Sequence, residues 1–228
     1  MHKKDMDKLR KYLPQILVLL TVILSILGIY YLISRNGNKD SEVLTELNAT
    51  KSEITKGTND PKIIVDIFSD FRCPACRYAN MTIEPALYEK YKDQVQFRFR
   101  HFPLPSHGQL AVDASEAAET VFRLSNSDTF WKYANKLFVE QGTDMGEVTF
   151  TLDNFGLWAE EFGVNKEEFL NSMNSAKYRQ NVQKDIDLGN KLGVSWTPSW
   201  FVNGKLVKSS SQDLEGISKV IDEALKNL

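Results

Sequence analysis

Two cysteines, Cys73 and Cys76, are the whole thiol complement of this 228-residue chain, and only Pro74 and Ala75 separate them. The run before them, Lys62-Ile63-Ile64-Val65-Asp66-Ile67-Phe68, reads as a buried strand, and the residues after them, to about Tyr91, have helical spacing with a kink expected at Pro85. A thiol pair at a strand-to-helix turn admits few folds, because the helix must pack back across the strand. The first sulfur then lies where unpaired backbone N–H groups and the helix dipole favour an anion, and the thiolate is the reactive form of cysteine. Pro74 suits the first helical position, where its missing N–H costs nothing. Cys76, one turn further on, can attack a mixed disulfide formed at Cys73. An inert bridge closing so short a loop would constrain the unfolded chain little, which favours a redox couple. Two cysteines exclude a disulfide-stapled mini-protein and a four-cysteine zinc site. Zinc would need His101 and His107 as further ligands, and no metal is expected.

The rest of the chain supplies partners for this unit. Val95–Arg100 alternates as a second strand. After Phe102-Pro103-Leu104-Pro105 the pattern turns helical, with helices expected over Gln109–Leu124, Thr129–Glu140, Leu152–Phe162, Lys166–Met173 and Tyr178–Leu192. Ser199–Val202 and Lys205–Val207 flank Asn203-Gly204 as a hairpin, and a helix over about Gln212–Leu225 closes the order. Phe122, Phe130, Trp131, Phe138, Phe155, Trp158 and Phe162 are read as the core of the helical block. The order is thus βαβ, helical block, ββα.

A second feature divides the chain. No charged residue occurs from Tyr12 to Ser34, and a helix over 13–33 would be roughly 30 Å long, about the hydrocarbon thickness of a bilayer. Lys3, Lys4, Lys8, Arg10 and Lys11 precede it, which predicts a cytoplasmic N-terminus and export of everything beyond Arg35. The run is longer than a signal-peptide core and no small-x-small cleavage pattern follows, so an uncleaved anchor is favoured over a cleaved signal. No cysteine follows closely enough for a lipoprotein anchor. Residues 36–57 are polar and read as a linker, with a short strand or helix near 42–53. The domain plan is therefore 1–35 tail and anchor, 36–57 linker, and 58–228 a catalytic domain with a helical insertion at about 105–192.

Composition narrows the function. With 42% hydrophobic and 25% charged residues the chain is not disordered. The net charge is -2, and the part beyond the uncharged run is mildly acidic, so nucleic acid is not an expected partner. No glycine-rich loop ending in Lys-Ser or Lys-Thr is present, which argues against a P-loop nucleotidase.

Far along the chain, Thr197-Pro198 stands directly before the Ser199 strand, a place that suits a cis peptide with the Thr197 backbone open to an extended substrate. Taken with the stretches Ile67–Cys76, Arg100–His107, Phe130-Trp131 with Leu137-Phe138, and Leu192–Gly204, this order resembles the DsbA-like branch of the thioredoxin superfamily. The resemblance covers roughly 58–228. It implies a thioredoxin fold with an inserted all-helical domain, Cys73 as nucleophile, Cys76 as resolving thiol and Pro198 as the cis-proline. Thr197, Pro74, Ala75 and Trp196 would face the substrate. It further implies a membrane-anchored thiol–disulfide oxidoreductase acting outside the cytoplasm on reduced or misfolded exported proteins, without a small-molecule cofactor, and recharged by a quinone-linked membrane oxidase. A reductase or isomerase is the alternative within the class, and a non-catalytic tethered peptide-binding chaperone the alternative outside it.

Two departures stand out. Members of the family often carry an acidic residue where this chain has Ile67, and strand alternation turns the adjacent Asp66 to the opposite face. The proton route to the buried thiol is therefore open, with water or Asp70 as candidates. Trp196 replaces a frequent glycine, and either lines the substrate groove or packs under the helical block. His101 and His107 are read as loop histidines.

Overall fold

The computed structural model describes residues 3–50, 52–141 and 150–228; the side chains of 3–12, 14–16 and 32–38 lie outside that description. Two compact units divide the chain, 1–42 and 43–228. Helix α1 (Lys3–Ala49) runs through the first. Its side chains from 17 to 31 are all exposed. Among the described residues no helix is long and apolar enough to cross a membrane. The span expected at 13–33 lies partly outside the described side chains.

In the second unit a five-stranded sheet has the order β1-β3-β2-β4-β5. Its strands are β1 (Thr55–Gly57), β2 (Ile63–Ser69), β3 (Val95–His101), β4 (Ser199–Val202) and β5 (Lys205–Leu206). Strands β2 and β3 are parallel, which requires a crossover, and the helix after Cys73 supplies it. The other three pairings are antiparallel. Asn203 and Gly204 both have positive φ, the geometry of the tight hairpin turn that the Asn-Gly pair predicts.

The crossover helix comes in three pieces: α2 (Pro74–Tyr78), a π turn over Ala79–Ile83, and α3 (Glu84–Tyr91) with Pro85 in its first turn. Pro85 has no N–H to give to the preceding turn, so the interruption expected there takes the form of a widened turn just before it. One face of β2 sends Ile63, Val65 and Ile67 into a core with Leu87, Trp200 and Ile221, closed by α3 and α9 (Leu214–Lys226). The other face packs Phe68 and Phe201 against Leu47, Phe102 and Leu188. Between the halves of the sheet lie five helices: α4 (Gln109–Leu124), α5 (Ser127–Glu140), α6 (Leu152–Glu161), α7 (Lys166–Asn174) and α8 (Arg179–Lys191). The expected aromatic core is there, with Phe130, Phe138 and Phe155 fully buried and Trp131, Trp158, Phe122 and Phe162 packed beside them.

Two expectations need correction. The short strand or helix expected near 42–53 is there as the last turns of α1, but 36–57, where strand β1 falls as well, is not otherwise a linker. Its Asn, Gly and Ser content suggested a break, but Leu47 is buried against Phe68 and Phe102, and that packing outweighs local propensity. His101 is not in a loop: it ends β3, paired with Ser69 of β2, and is wholly buried.

Candidate active site

Cys73 is the N-cap of α2, with extended backbone (φ -83°, ψ 121°), and Pro74 follows as the first helical residue. The Cys73 carbonyl accepts the Arg77 N–H at 3.0 Å, the first bond of the helix. Both thiols are free. Cys73 is 7% exposed and Cys76 1%, so the first sulfur meets the surface and the second does not. Pro74 and Ala75 are exposed beside Cys73.

The Thr197–Pro198 peptide is cis, and it brings the Thr197 carbonyl to the active-site sulfur: the Cys73 thiol donates to that oxygen at 3.2 Å. Thr197 and Pro198 are buried. The Thr197 hydroxyl is buried beside the two sulfurs, where it favours a thiolate. Trp196 is half-buried, its carbonyl accepting from the Ser199 hydroxyl at 2.7 Å. Thus Cys73 and the Thr197-Pro198 turn come together.

Electrostatics separates the two thiols. Cys73 is lowered to about 6, chiefly because the Cys76 thiol donates to its sulfur. Burial opposes this, and the Thr197 side chain and the backbone N–H groups of Cys76 and Ala75 support it. Cys76 is raised well above the usual thiol range, first by complete burial and then by its bond to Cys73 and the charge there.

The candidates for the proton route fare differently. Asp66 is on the far face of β2, as alternation requires, and pairs with Arg100 (Oδ1 to Nε, 2.8 Å). Asp70 gives only its backbone N–H to Cys76 Sγ, at 3.5 Å. Its carboxylate accepts from the Arg72 and Leu104 N–H groups, both at 2.7 Å, and meets His107 Nδ1 at 2.6 Å. His101 lies 3.5 Å from Glu119. Both histidines thus face carboxylates, and among the described residues no three of His, Cys, Asp and Glu cluster to hold a metal ion.

Sequence reading missed one buried charge near the thiols. Glu84, 6% exposed at its side chain, forms an ion pair with Lys56 of β1. The signal was present in the spacing: Cys76, Asn80 and Glu84 recur every fourth residue on a helix whose other inward residues are apolar.

Comparison with known proteins agrees with this geometry. A family model described as Thioredoxin matches residues 49–223. The chain is 31% identical over 194 residues to a probable disulfide bond formation protein D of Bacillus cereus, covering 84% of this chain and 86% of that one. It is 29% identical over 177 residues to disulfide bond formation protein D of Bacillus subtilis, covering 77% and 78%. The oxidised crystal structure of BdbD from Bacillus subtilis superposes with a TM-score of 0.70 at 27% identity, over 76% of this chain and 93% of that one. For the fold alone, Chlamydia trachomatis DsbA gives 0.67 at 16% identity, over 76% and 91%.

Proposed function

We propose a role on the premise that this chain belongs to the thioredoxin family, in its DsbA-like branch, and is a protein thiol–disulfide oxidoreductase. Cys73 is the nucleophile and Cys76 the resolving thiol of a Cys-Pro-Ala-Cys couple whose net direction is oxidation of cysteines in exported proteins. A substrate thiolate attacks Cys73 Sγ of the oxidised couple, and the Cys73–Cys76 bond breaks. Cys76 leaves with the electron pair and takes a proton, which leaves a mixed disulfide at Cys73. A second substrate thiolate attacks the substrate sulfur of that bond. Cys73 departs as a thiolate, the substrate gains its disulfide, and the couple is left reduced by two electrons. Pro198 and the Thr197 backbone hold the substrate strand, and Pro74, Ala75 and Trp196 border it.

The observation that carries this reading is the split between the thiols. A sulfur that ionises near pH 6 is a good leaving group, and its thiolate stabilises the reduced form while the disulfide gains nothing from it. That asymmetry supports a couple that gives its disulfide away. No small-molecule cofactor enters the exchange. The couple is refilled by a quinone-linked thiol oxidase in the membrane.

The catalytic domain acts outside the cytoplasm of a bacterium, tethered by residues 13–33 with the N-terminus inside. Supporting this, the stretch is uncharged and preceded by five basic residues. Its described side chains stand exposed, Leu24 at 67% and Tyr30 at 71% among them. So continuous an apolar surface calls for a cover, and lipid is the one that charge asymmetry at its flanks selects.

The test is a glutathione titration with thiol trapping. Cys76→Ser should accumulate mixed disulfides and Cys73→Ser should form none. A potential near ~-270 mV, with the oxidised form the more stable, would reassign the chain as a reductase. An N-terminus accessible only from outside the cell would overturn the tether.

A further inference from the structure

Behind Cys76 the packing is incomplete in one place. Cys76, Asn80, Glu84, Trp131, Pro198 and Trp200 border a small cavity in which a water's centre could range over about 20 Å³, room for one water. Three of the residues that line it, Asn80, Trp131 and Trp200, each carry a buried polar atom (Oδ1, Nε1 and Nε1) with no hydrogen-bond partner among the described residues. Buried polar groups are almost always satisfied, so a cavity collecting three that are not is shaped for a polar occupant. Among the described residues, Glu84 brings the only carboxylate to this wall. Lys56 holds it there, its Nζ also 3.8 Å from the Trp131 ring centroid.

We propose that Glu84, held by Lys56, is the proton store for Cys76 in thiol–disulfide exchange, working through a water in the cavity that Glu84 and Cys76 share. The inference rests on the roles given above to Cys73 and Cys76. When Cys76 resolves a mixed disulfide, its S–H proton passes to the Glu84 carboxylate. Its sulfur bonds to Cys73 Sγ, and the bond from Cys73 to the partner sulfur breaks. The partner leaves as a thiolate, reduced by the two electrons that the Cys73–Cys76 pair gives up. In the opposite direction Cys76 leaves as a thiolate and the proton returns to it. Without a store, a thiol raised so far above the usual range would wait for scarce hydroxide. Burial raises Glu84 as well, and Lys56, the charged group facing it, opposes that rise, which keeps the carboxylate able both to hold and to release a proton. The strand position beside it, Ile67, offers no such group.

The experiment mixes reduced protein with glutathione disulfide, quenches in acid and weighs the products. The first step puts glutathione on Cys73 and the second releases it by attack of Cys76. In Glu84→Gln the first step should keep its rate and its midpoint near pH 6. The second should slow on the order of 10²-fold at neutral pH, with its pH profile moved upward. Lys56→Met should also move the second-step profile upward, because Glu84 without its cation ionises later, and this variant carries the test should Glu84→Gln not fold. A second step with unchanged rate and profile overturns the proposal and leaves the cysteine roles standing. Wild-type protein that takes no glutathione on Cys73 overturns those roles and the proposal with them.

Discussion

Two sets of buried charges lie on opposite faces of the same sheet, and they differ in how completely they are satisfied. On the face away from the thiols, Arg100 is 1% exposed and each of its three side-chain nitrogens is engaged. Nε meets Asp66 at 2.8 Å, Nη2 gives to the Leu47 carbonyl at 2.8 Å, and Nη1 gives to the Thr50 carbonyl and to Asp185 at 3.3 Å. Asp185 in turn accepts the His101 N–H at 3.0 Å. On the thiol face, Lys56 and Glu84 stand beside a cavity with unpartnered polar atoms. A saturated network fixes the ends of α1, β2, β3 and α8 in one arrangement. An unsaturated pair has capacity left for a proton or a water. Saturation is thus the feature that separates scaffold from chemistry among buried charges here.

The largest effect should come from breaking the saturated set. Burial already raises Asp66 and Asp185, and the Arg100 guanidinium is the charge that most opposes that rise at both. Arg100→Met leaves two buried carboxylates without their cation, and should cost about 3–5 kcal/mol in chemical unfolding. The potential of the couple, on the other face, should not move. A shift in potential as large as the loss of stability would erase the distinction between the faces.

Next is the redox-linked pH dependence, which should belong to the thiol face alone. The native pKa of Cys73 is depressed to about 6. A group so depressed adds stability that is complete above its unfolded pKa and is lost as pH falls through the native one. The reduced form should therefore gain on the oxidised form as pH rises from about 6 to about 9. The ceiling is ~4 kcal/mol from about 1.4 kcal/mol per pKa unit, and screening by solvent near this sulfur should leave about 2 kcal/mol. Cys76, raised instead, acts with the opposite sign and only above that window. Unfolding both forms across this range checks it, and an Arg100 variant should show the same slope.

Glu84→Gln should be milder in stability than Arg100→Met despite its larger kinetic effect. The Lys56 ammonium keeps the Trp131 ring beneath it and is 17% exposed, so it is not stranded as Asp66 would be. A cost of about 1–2 kcal/mol is expected by the same unfolding measurement. A cost equal to that of Arg100→Met would make this pair scaffold too.

The contrast also marks what could be read in advance. Four of the strands, the crossover helix and the helical block were legible because each rests on local spacing or a short motif, whereas the grouping of Cys73 with Thr197 and Pro198 was legible only through the family resemblance of the whole order. Strand β1 was not, since Thr55-Lys56-Gly57 has no alternation to detect and exists through pairing with Arg98, Phe97 and Gln96. That pairing alone carries Lys56 to Glu84, so the ion pair could not be found from either residue's neighbours. Ile67 showed that a carboxylate was missing from its usual place. The four-residue spacing of Cys76, Asn80 and Glu84 pointed to one on the next helix, two turns beyond Cys76, but nothing local gave it a partner. The end of α1 was legible only as a short strand or helix near 42–53, and its burial was hidden for the same reason, since it rests on tertiary contact at Leu47.

The smallest effect decides to which class Asp70 belongs. It touches Cys76 through its backbone N–H, which invites a proton role, yet its carboxylate already has three donors. By the saturation argument it is scaffold, tying the Cys73 turn to the loop at Leu104. His107→Ala removes one donor and leaves the two backbone N–H groups, so stability should fall by only about 1 kcal/mol. The release of glutathione by Cys76 should keep its wild-type rate and pH profile, because no proton path is cut. If that release slows as it should in Glu84→Gln, the proton of Cys76 leaves through Asp70 and His107, and saturation is not the rule that separates the two kinds of buried charge in this protein.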